Sequence, residues 1–173
     1  MISPKPETWT AADGSVVTIR PISAADLALE QEFVDGLSAR TGYQRLMSVR
    51  RPSLEELKRL TDIDRERELA LIATTPVHGR ERQIGVARYV KEPAPGDAEF
   101  AIVLSDGWQG RGLGTRLLGS LLVAARSDGV RRLTGTTMSD NDGMTKLARK
   151  LGFTLAKDAG TASITNMTID LDA

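Results

Sequence analysis

Glycines dominate a short stretch of the chain, residues 108–115, which runs Trp-Gln-Gly-Arg-Gly-Leu-Gly-Thr. A strand-like pattern precedes it, and leucines at helical spacing follow it, so the stretch is predicted to join a strand to a helix. Glycines let a backbone approach a ligand closely, and the first amides of a helix carry partial positive charge. The stretch therefore predicts a cradle for a phosphate or diphosphate group. The alternative is a glycine turn that only packs the helix on the sheet.

Two well-known phosphate-binding motifs differ from this stretch. A P-loop has Lys and then Ser or Thr directly after its last glycine, whereas Gly114 is followed by Thr115 and Arg116. A dinucleotide fingerprint has the spacing G-x-G-x-x-G with an acidic residue about 20 positions later. Neither spacing is present, so neither nucleotide-binding class is predicted.

The composition narrows the remaining chemistry. The 173 residues include no Cys and one His, which argues against disulfides, a cysteine nucleophile and a histidine-built metal centre. Basic and acidic residues both number 23, so no general attraction to nucleic acid or to an anionic membrane is expected. No apolar stretch approaches the roughly 20 residues of a membrane span, and residues 1–9 do not resemble a secretory signal. We expect a soluble, cytoplasmic protein without a metal.

The pattern along the chain predicts one α/β (α+β) domain at residues 15–173, after a polar N-terminal extension at residues 1–14. Helices are predicted from a Ser23 cap to Ser38, from a Ser53 cap onward, from Leu113 to near Gly129, and over residues 141–150. Strand patterns cover residues 15–20, 68–75, 83–91, 98–104, 133–137, 152–156 and 162–171. Antiparallel hairpins in the first half and a β-α-β-α order in the second imply a mixed sheet.

Gln109, Gly112 and Gly114 match the signature Q/R-x-x-G-x-G/A of the GNAT superfamily of acyl-CoA-dependent N-acetyltransferases, which the chain resembles from Ser15 onward. The sequence Lys-Leu-Gly-Phe at residues 150–153 is similar to the closing motif of that family. Residues 18–22, 62–68 and 98–101 are similar to the acetyltransferase domain of bacterial protein-lysine acetyltransferases. The resemblance implies a mostly antiparallel sheet that is splayed at its centre and has helices on both faces.

The same resemblance implies acetyl-CoA as a co-substrate. Family members hold its diphosphate on the amides of the signature loop, which here are those of Gln109, Gly110, Arg111, Gly112, Leu113, Gly114 and Thr115. The pantetheine arm would pair with the preceding strand at Ile102, Val103 and Leu104, and the amide of Ile102 would polarise the thioester carbonyl. Asn141 is expected to hydrogen-bond the arm. Arg111 and Arg116 are the nearest cations for the phosphates, although Arg116 is also expected to be simply solvated.

A lysine acceptor has a pKa of about 10.4 and must lose a proton before its nitrogen can attack. Glu99 resembles the general base of the protein-lysine subgroup, and its neighbours Ala98 and Phe100 are expected to desolvate it partly. The alternative is an edge-strand glutamate exposed to water. Many family members carry a tyrosine that protonates the departing thiolate, where this chain has Ala148. The thiolate then leaves unassisted or takes its proton from another group.

These assignments predict an acyltransferase that transfers an acetyl group to a primary amine by direct attack, without a covalent enzyme intermediate. A protein lysine is the favoured acceptor. A small amine as acceptor, and a module that binds acyl-CoA without turnover, remain as alternatives. The arginine-rich loop from Arg40 to Arg51, which includes Tyr43, is interpreted either as solvated or as a contact for an acidic acceptor or for the 3′-phosphate. The sequence does not disclose the oligomeric state.

Overall fold

An eight-stranded mixed sheet carries the fold in the computed structural model, which describes residues 3–41 and 52–172. The spatial order of its strands is β1-β2-β3-β4-β5-β6-β8-β7, and every neighbouring pair is antiparallel except β5 and β6. The mixed, mostly antiparallel sheet expected from the sequence is thereby confirmed. The strands are β1 (Glu7–Thr10), β2 (Val16–Pro21), β3 (Glu68–Val77), β4 (Arg80–Lys91), β5 (Asp97–Leu104), β6 (Arg132–Met138), β7 (Thr154–Lys157) and β8 (Ile164–Asp170).

Helices lie on both faces of this sheet. Helices α1 (Leu27–Asp35) and α2 (Leu54–Thr61) pack on the face that we call the α1 face, where Val103 joins their apolar cluster. Helices α3 (Leu113–Ser127) and α4 (Asp142–Lys150) pack on the opposite face, the α3 face, where Phe100 lies in the larger cluster. Because strand side chains alternate between faces, each strand residue can be assigned to one side of the sheet.

Both predicted helix caps are present. The side chains and backbone amides of Ser23 and Asp26 form a capping box around a short 3₁₀ turn that leads into α1. Ser53 Oγ accepts from the amide of Glu56 at 3.2 Å and caps α2. Helix α1 ends at Asp35, three residues before the predicted end, because the chain turns at Gly36.

The N-terminal extension contributes a strand that the sequence pattern did not indicate. Strand β1 pairs with β2, with Trp9 opposite Val17, and the Trp9 side chain packs against the larger core cluster. A tight turn joins the two strands, with Gly14 at a φ of +88°. The folded unit therefore begins well before Ser15.

The centre of the sheet is open. Strands β5 and β6 are in register only at Asp97–Arg132, Ala98–Leu133 and Glu99–Thr134, although both strands continue for several residues beyond. The two strands then diverge toward their carboxyl ends, which leaves a gap between them. In the part of the chain that the structure describes, no helix has the length and apolar character needed to cross a bilayer.

Candidate active site

The gap between β5 and β6 is lined by backbone groups of β5. The amide of Ser105 donates to the carbonyl of Ile84 at 2.9 Å, and the β4–β5 register is unbroken from there to Asp97. In an antiparallel pair every second residue turns its amide and carbonyl to the partner, so these groups of Glu99, Ala101 and Val103 face β4. The intervening residues turn theirs toward the gap, and these are Phe100, Ile102 and Leu104. The Ile102 amide therefore points into the opening.

Val103 was expected to pair with the pantetheine arm, but its backbone is not directed to the gap. Its backbone polar groups face β4, and its side chain is 8% exposed in the cluster on the α1 face. It offers no polar group to the gap. Phe100, which the sequence analysis did not single out for this role, presents its backbone there instead. The alternation along a strand reveals this only when the register with β4 is known.

The signature loop ends at the first turn of α3. Gly112 has a φ of +88°, and its carbonyl accepts the first helical hydrogen bond, from the amide of Arg116 at 3.2 Å. The amides of Leu113, Gly114 and Thr115 consequently have no acceptor within the helix. Gly110 also has a positive φ, of +73°. This is the arrangement of free amides at a positive helix end that a diphosphate requires.

The glycines of this loop serve two purposes. A Cβ built on Gly114 would lie 3.1 Å from Leu147 Cδ2 and 3.4 Å from Leu104 Cδ1, so this glycine allows α3 to pack closely on α4 and β5. A Cβ on Gly110 would meet no atom of the described residues within 4 Å. The packing interpretation therefore applies to Gly114, whereas Gly110 needs glycine for its backbone conformation.

The Gln109 side chain binds the end of β5, at the edge that faces the gap. Its Nε2 lies 3.3 Å from the carbonyl of Leu104 and 3.3 Å from Thr41 Oγ1, and donates to both. The Leu104 carbonyl is thus already occupied by the protein, which leaves its amide facing the gap. The side chain of Gln109 acts on the loop and the strand rather than pointing to a ligand.

The two predicted cations differ in their surroundings. Arg111 forms an ion pair with Asp13, and its guanidinium lies 3.8 Å from the centre of the Trp108 ring. Hydrogen bonds from Ser15, with the nearby Arg111 charge, hold the pKa of Asp13 below its usual range. Arg116 is exposed on α3. The charge of Arg111 is therefore compensated within the protein.

Asn141 lies just beyond the end of β6. Its Oδ1 accepts from the amide of Met144 at 3.1 Å and caps α4. Because β5 and β6 are parallel, Asn141 and the signature loop lie at the same edge of the sheet. Only the NH₂ group of Asn141 can donate to a ligand in the gap.

Glu99 lies on the α1 face and is exposed to solvent. Its neighbours Ala98 and Phe100 are buried on the opposite face. The expectation that they desolvate Glu99 was wrong, because successive strand side chains point to opposite sides of a sheet. Directly across from Glu99 lie Val90 on β4 and Thr134 on β6.

An open polar surface adjoins Glu99. On the α1 face, the side chains of β6, β8 and β7 are half-buried or exposed, and hydroxyl and amide groups predominate among them: Thr134, Thr136, Thr154, Asn166 and Thr168. The ion pair between Arg132 Nε and Asp170 Oδ1, 2.8 Å long, lies at one end. We call this surface the threonine face.

Other predicted features are placed as follows. Ala148 is fully buried in α4, and its methyl side chain has no proton to donate at the site. Arg40 is exposed, whereas Tyr43 and the arginines at positions 45, 50 and 51 lie outside the described residues. Within the described ranges, no three carboxylate or histidine side chains are grouped as metal ligands.

The open centre of the sheet and the signature loop are accompanied by a match of the sequence to one protein family. The family model described as Acetyltransferase (GNAT) family matches residues 39–153. This chain belongs to the GNAT acetyltransferases and is an acyltransferase of that family.

Individual relatives refine this assignment. The chain is 32% identical to the acetyltransferase PA5475 of Pseudomonas aeruginosa, over 84% of this chain and 79% of that protein. It is 33% identical to the acetyltransferase Pat of Mycolicibacterium smegmatis, over 78% of this chain, and the match spans only 40% of Pat. The solved GNAT domain of S. lividans PAT superposes with a TM-score of 0.84 at 25% identity, covering 95% of this chain and 96% of that domain.

Proposed function

We propose that this chain transfers an acetyl group from acetyl-CoA to the side-chain amine of a protein lysine, with Glu99 as the general base. The observation that carries the proposal is the gap between β5 and β6. The Ile102 amide points into this gap, and Glu99 lies on the same strand, on the side that opens to the threonine face. A thioester in the gap would thus have a hydrogen-bond donor beside it and a carboxylate near the acceptor.

The residues present fit the coenzyme. The amides of Leu113, Gly114 and Thr115 would hold the diphosphate, because they lack helical acceptors and lie at the positive end of α3. The pantetheine arm would lie along β5 and bond to the backbone of Phe100 and Ile102, with the NH₂ group of Asn141 as a further donor. Acetyl-CoA supplies the activated acetyl group as its thioester.

The chemistry that these groups support is a direct transfer. Glu99 accepts a proton from the lysine ammonium, directly or through one water, and the neutral nitrogen attacks the thioester carbonyl. The Ile102 amide stabilises the negative charge that develops on the carbonyl oxygen. A carbon–nitrogen bond forms, the carbon–sulfur bond breaks, and the nitrogen loses its second proton, which the thiolate takes to give free coenzyme A. Since a thiol has a pKa of about 8.5, its thiolate is a good leaving group without an acid.

The surroundings of Glu99 favour a protein acceptor. The side chains of the threonine face are half-buried or exposed, and their hydroxyl and amide groups can bond to the backbone of a polypeptide on either side of a lysine. A small amine is better held in a closed pocket, where most of its surface is buried. The resemblance of residues 18–22, 62–68 and 98–101 to bacterial protein-lysine acetyltransferases favours the same acceptor class. The cytoplasmic location stays a prediction.

The test compares the wild type with a Glu99 variant and a matched control variant. Purified protein and isotopically labelled acetyl-CoA are added to a cell lysate, which contains both protein and small-molecule acceptors. Labelled lysines and labelled small molecules are then quantified by mass spectrometry. Wild-type protein is expected to label protein lysines. Glu99→Gln should bind CoA normally and lower the labelling rate about a hundredfold, because only the base is lost. Glu92→Gln, a change at an exposed glutamate in the β4–β5 turn, is the matched control and should retain the wild-type rate.

Three outcomes would contradict specific parts of the proposal. Full activity of Glu99→Gln would remove Glu99 from the mechanism. Label found only in small molecules would exclude the protein acceptor. A wild-type protein with no affinity for CoA would refute the coenzyme site itself.

A further inference from the structure

Thr41 joins two segments that are distant in sequence, residues 38–41 and residues 106–109. Its hydroxyl donates to Asp106 Oδ1 at 2.7 Å, and it accepts from Gln109 Nε2 at 3.3 Å and from Ser38 Oγ at 3.1 Å. A threonine hydroxyl has one hydrogen and two lone pairs, so its bonding capacity is complete. The residue is 8% exposed. Thr41 is thus held in one defined arrangement.

The partners of Thr41 lie on both sides of the beginning of the signature loop. Gln109 Nε2 also donates to the Leu104 carbonyl at the end of β5. Asp106 begins the 3₁₀ turn Asp106–Trp108, through which the chain passes from β5 into the loop. A glutamine side chain has several rotatable bonds and loses conformational freedom when it is fixed. The two acceptors, Thr41 and the Leu104 carbonyl, together define where the Gln109 amide lies.

We infer that Thr41 is a positioning residue for the coenzyme site. Through Gln109 and Asp106 it holds residues 105–112 in the arrangement that places the first amides of α3 beside the opened edge of β5. This inference rests on the proposed function, because it takes that cleft as the binding site for CoA. It also ties the segment that follows α1 to the coenzyme loop.

If the Thr41 hydroxyl had a purely structural role, its removal would lower the stability of the fold and leave coenzyme binding unchanged. Asp106 and Gln109 are exposed, so water can replace their lost bonds when the hydroxyl is removed, and the loss of overall stability is expected to be small. The loop would nevertheless lose the two hydrogen bonds that fix its position relative to Thr41. The effect is therefore expected mainly in coenzyme binding and much less in unfolding.

The experiment compares Thr41→Val, Thr41→Ser and Thr61→Val. Thr61 is 2% exposed, and its hydroxyl bonds to the carbonyls of Leu57 and Lys58 within α2, at 3.1 Å each. It is a matched control for the loss of a buried hydroxyl away from the loop. The dissociation constant for CoA is measured by titration calorimetry, Tm by thermal unfolding, and the KM for acetyl-CoA and kcat by steady-state kinetics.

Thr41→Val is expected to weaken CoA binding about tenfold, which corresponds to about 1.4 kcal/mol, and to raise the KM for acetyl-CoA by the same factor. The kcat at saturating acetyl-CoA should change little, since the loop does not touch the reacting atoms. Thr41→Ser keeps the hydroxyl and should restore binding to within about twofold of the wild type. Thr61→Val should lower Tm and leave the dissociation constant unchanged.

The inference is overturned if folded Thr41→Val binds CoA like the wild type, if Thr61→Val weakens binding equally, or if Thr41→Ser does not restore it. If Thr41→Val does not fold, Asp106→Ala tests the same network from its exposed side, because alanine removes the acceptor of the Thr41 hydroxyl. That variant should weaken CoA binding several-fold, and an unchanged dissociation constant would overturn the inference. Failure of the wild type to bind CoA would instead refute the proposed function, so the two failures are distinguishable.

Discussion

Gly135 lies against the ring of Phe100 at the point where β5 and β6 separate. The last pair in register is Glu99–Thr134, and the next residue on each strand is Phe100 and Gly135. A Cβ built on Gly135 would lie 2.6 Å from Phe100 Cε1 and 2.9 Å from Cδ1. Gly135→Ala therefore tests whether the open centre of the sheet depends on this contact.

The structure gives the size of the expected effect. Ordinary contact begins near 3.4 Å, so the ring would have to retreat by about 0.8 Å. It has little room, because Phe100 is 5% exposed and its ring centre lies 5.0 Å from that of Phe153. Overpacking of this kind costs about 1–3 kcal/mol, and the backbone gain of about 0.5–1 kcal/mol on replacing glycine offsets part of it. The midpoints of these ranges leave a net cost of about 1.3 kcal/mol, so for a domain of this size we expect Tm to fall by about 3–5 °C.

Thermal unfolding with and without CoA measures both consequences. Gly119→Ala is the matched control, because a Cβ there meets nothing within 4 Å and alanine favours the helix, so its Tm should rise slightly. In the Gly135→Ala background, Phe100→Leu should cost less than it does alone, since the smaller side chain relieves the overlap. The stabilisation of Gly135→Ala by CoA should also shrink. An unfolding temperature of Gly135→Ala equal to or above that of the wild type would refute this account of the contact.

Two further predictions concern the signature loop and the stability of the fold at low pH. Gly112→Glu, at a φ of +88°, should abolish the rise in Tm caused by CoA, whereas Gly79→Glu, at +74° in the β3–β4 turn, should keep it; a persisting rise in the first variant contradicts the diphosphate site. Burial alone would raise the pKa of Asp26, but hydrogen bonds from Arg20, at 2.8 and 2.9 Å, and from the Ser23 amide outweigh it and lower that pKa. This carboxylate therefore stabilises the fold above the unfolded-state value of about 3.9 and loses its contribution as pH falls through the lower folded-state pKa. Asp26→Asn should cost about 1–3 kcal/mol in urea unfolding near neutral pH and progressively less in acid, and a cost independent of pH would exclude the charge as its source.

Local patterns were sufficient for most elements of the fold. The caps at Ser23 and Ser53, and the leucine spacing of α3, depend on residues within a few positions of one another, and the structure confirms them. Strand β1 was missed because four residues with one apolar side chain carry no periodic signal. Its place in the sheet comes from pairing with β2 and from burial of Trp9.

The site was predicted only in part, for a related reason. The positive φ of Gly112 and the free amides after it follow from local sequence, because glycine and a helix start are local features. The exposure of Glu99 and the turning of Val103 toward β4 depend on strand direction and register. Residue types next to one another in sequence do not specify those quantities.

By itself, the sequence of this protein determined the family, the order of most helices and strands, and the loop at the start of α3. Only the tertiary structure decided that Gly114 serves close packing, that Phe100 rests on Gly135, and that Thr41 joins Gln109 to Asp106. The physical reason is range. Backbone preferences and periodicity act over a few residues, whereas these contacts join segments up to 68 positions apart, which meet only when the sheet has formed.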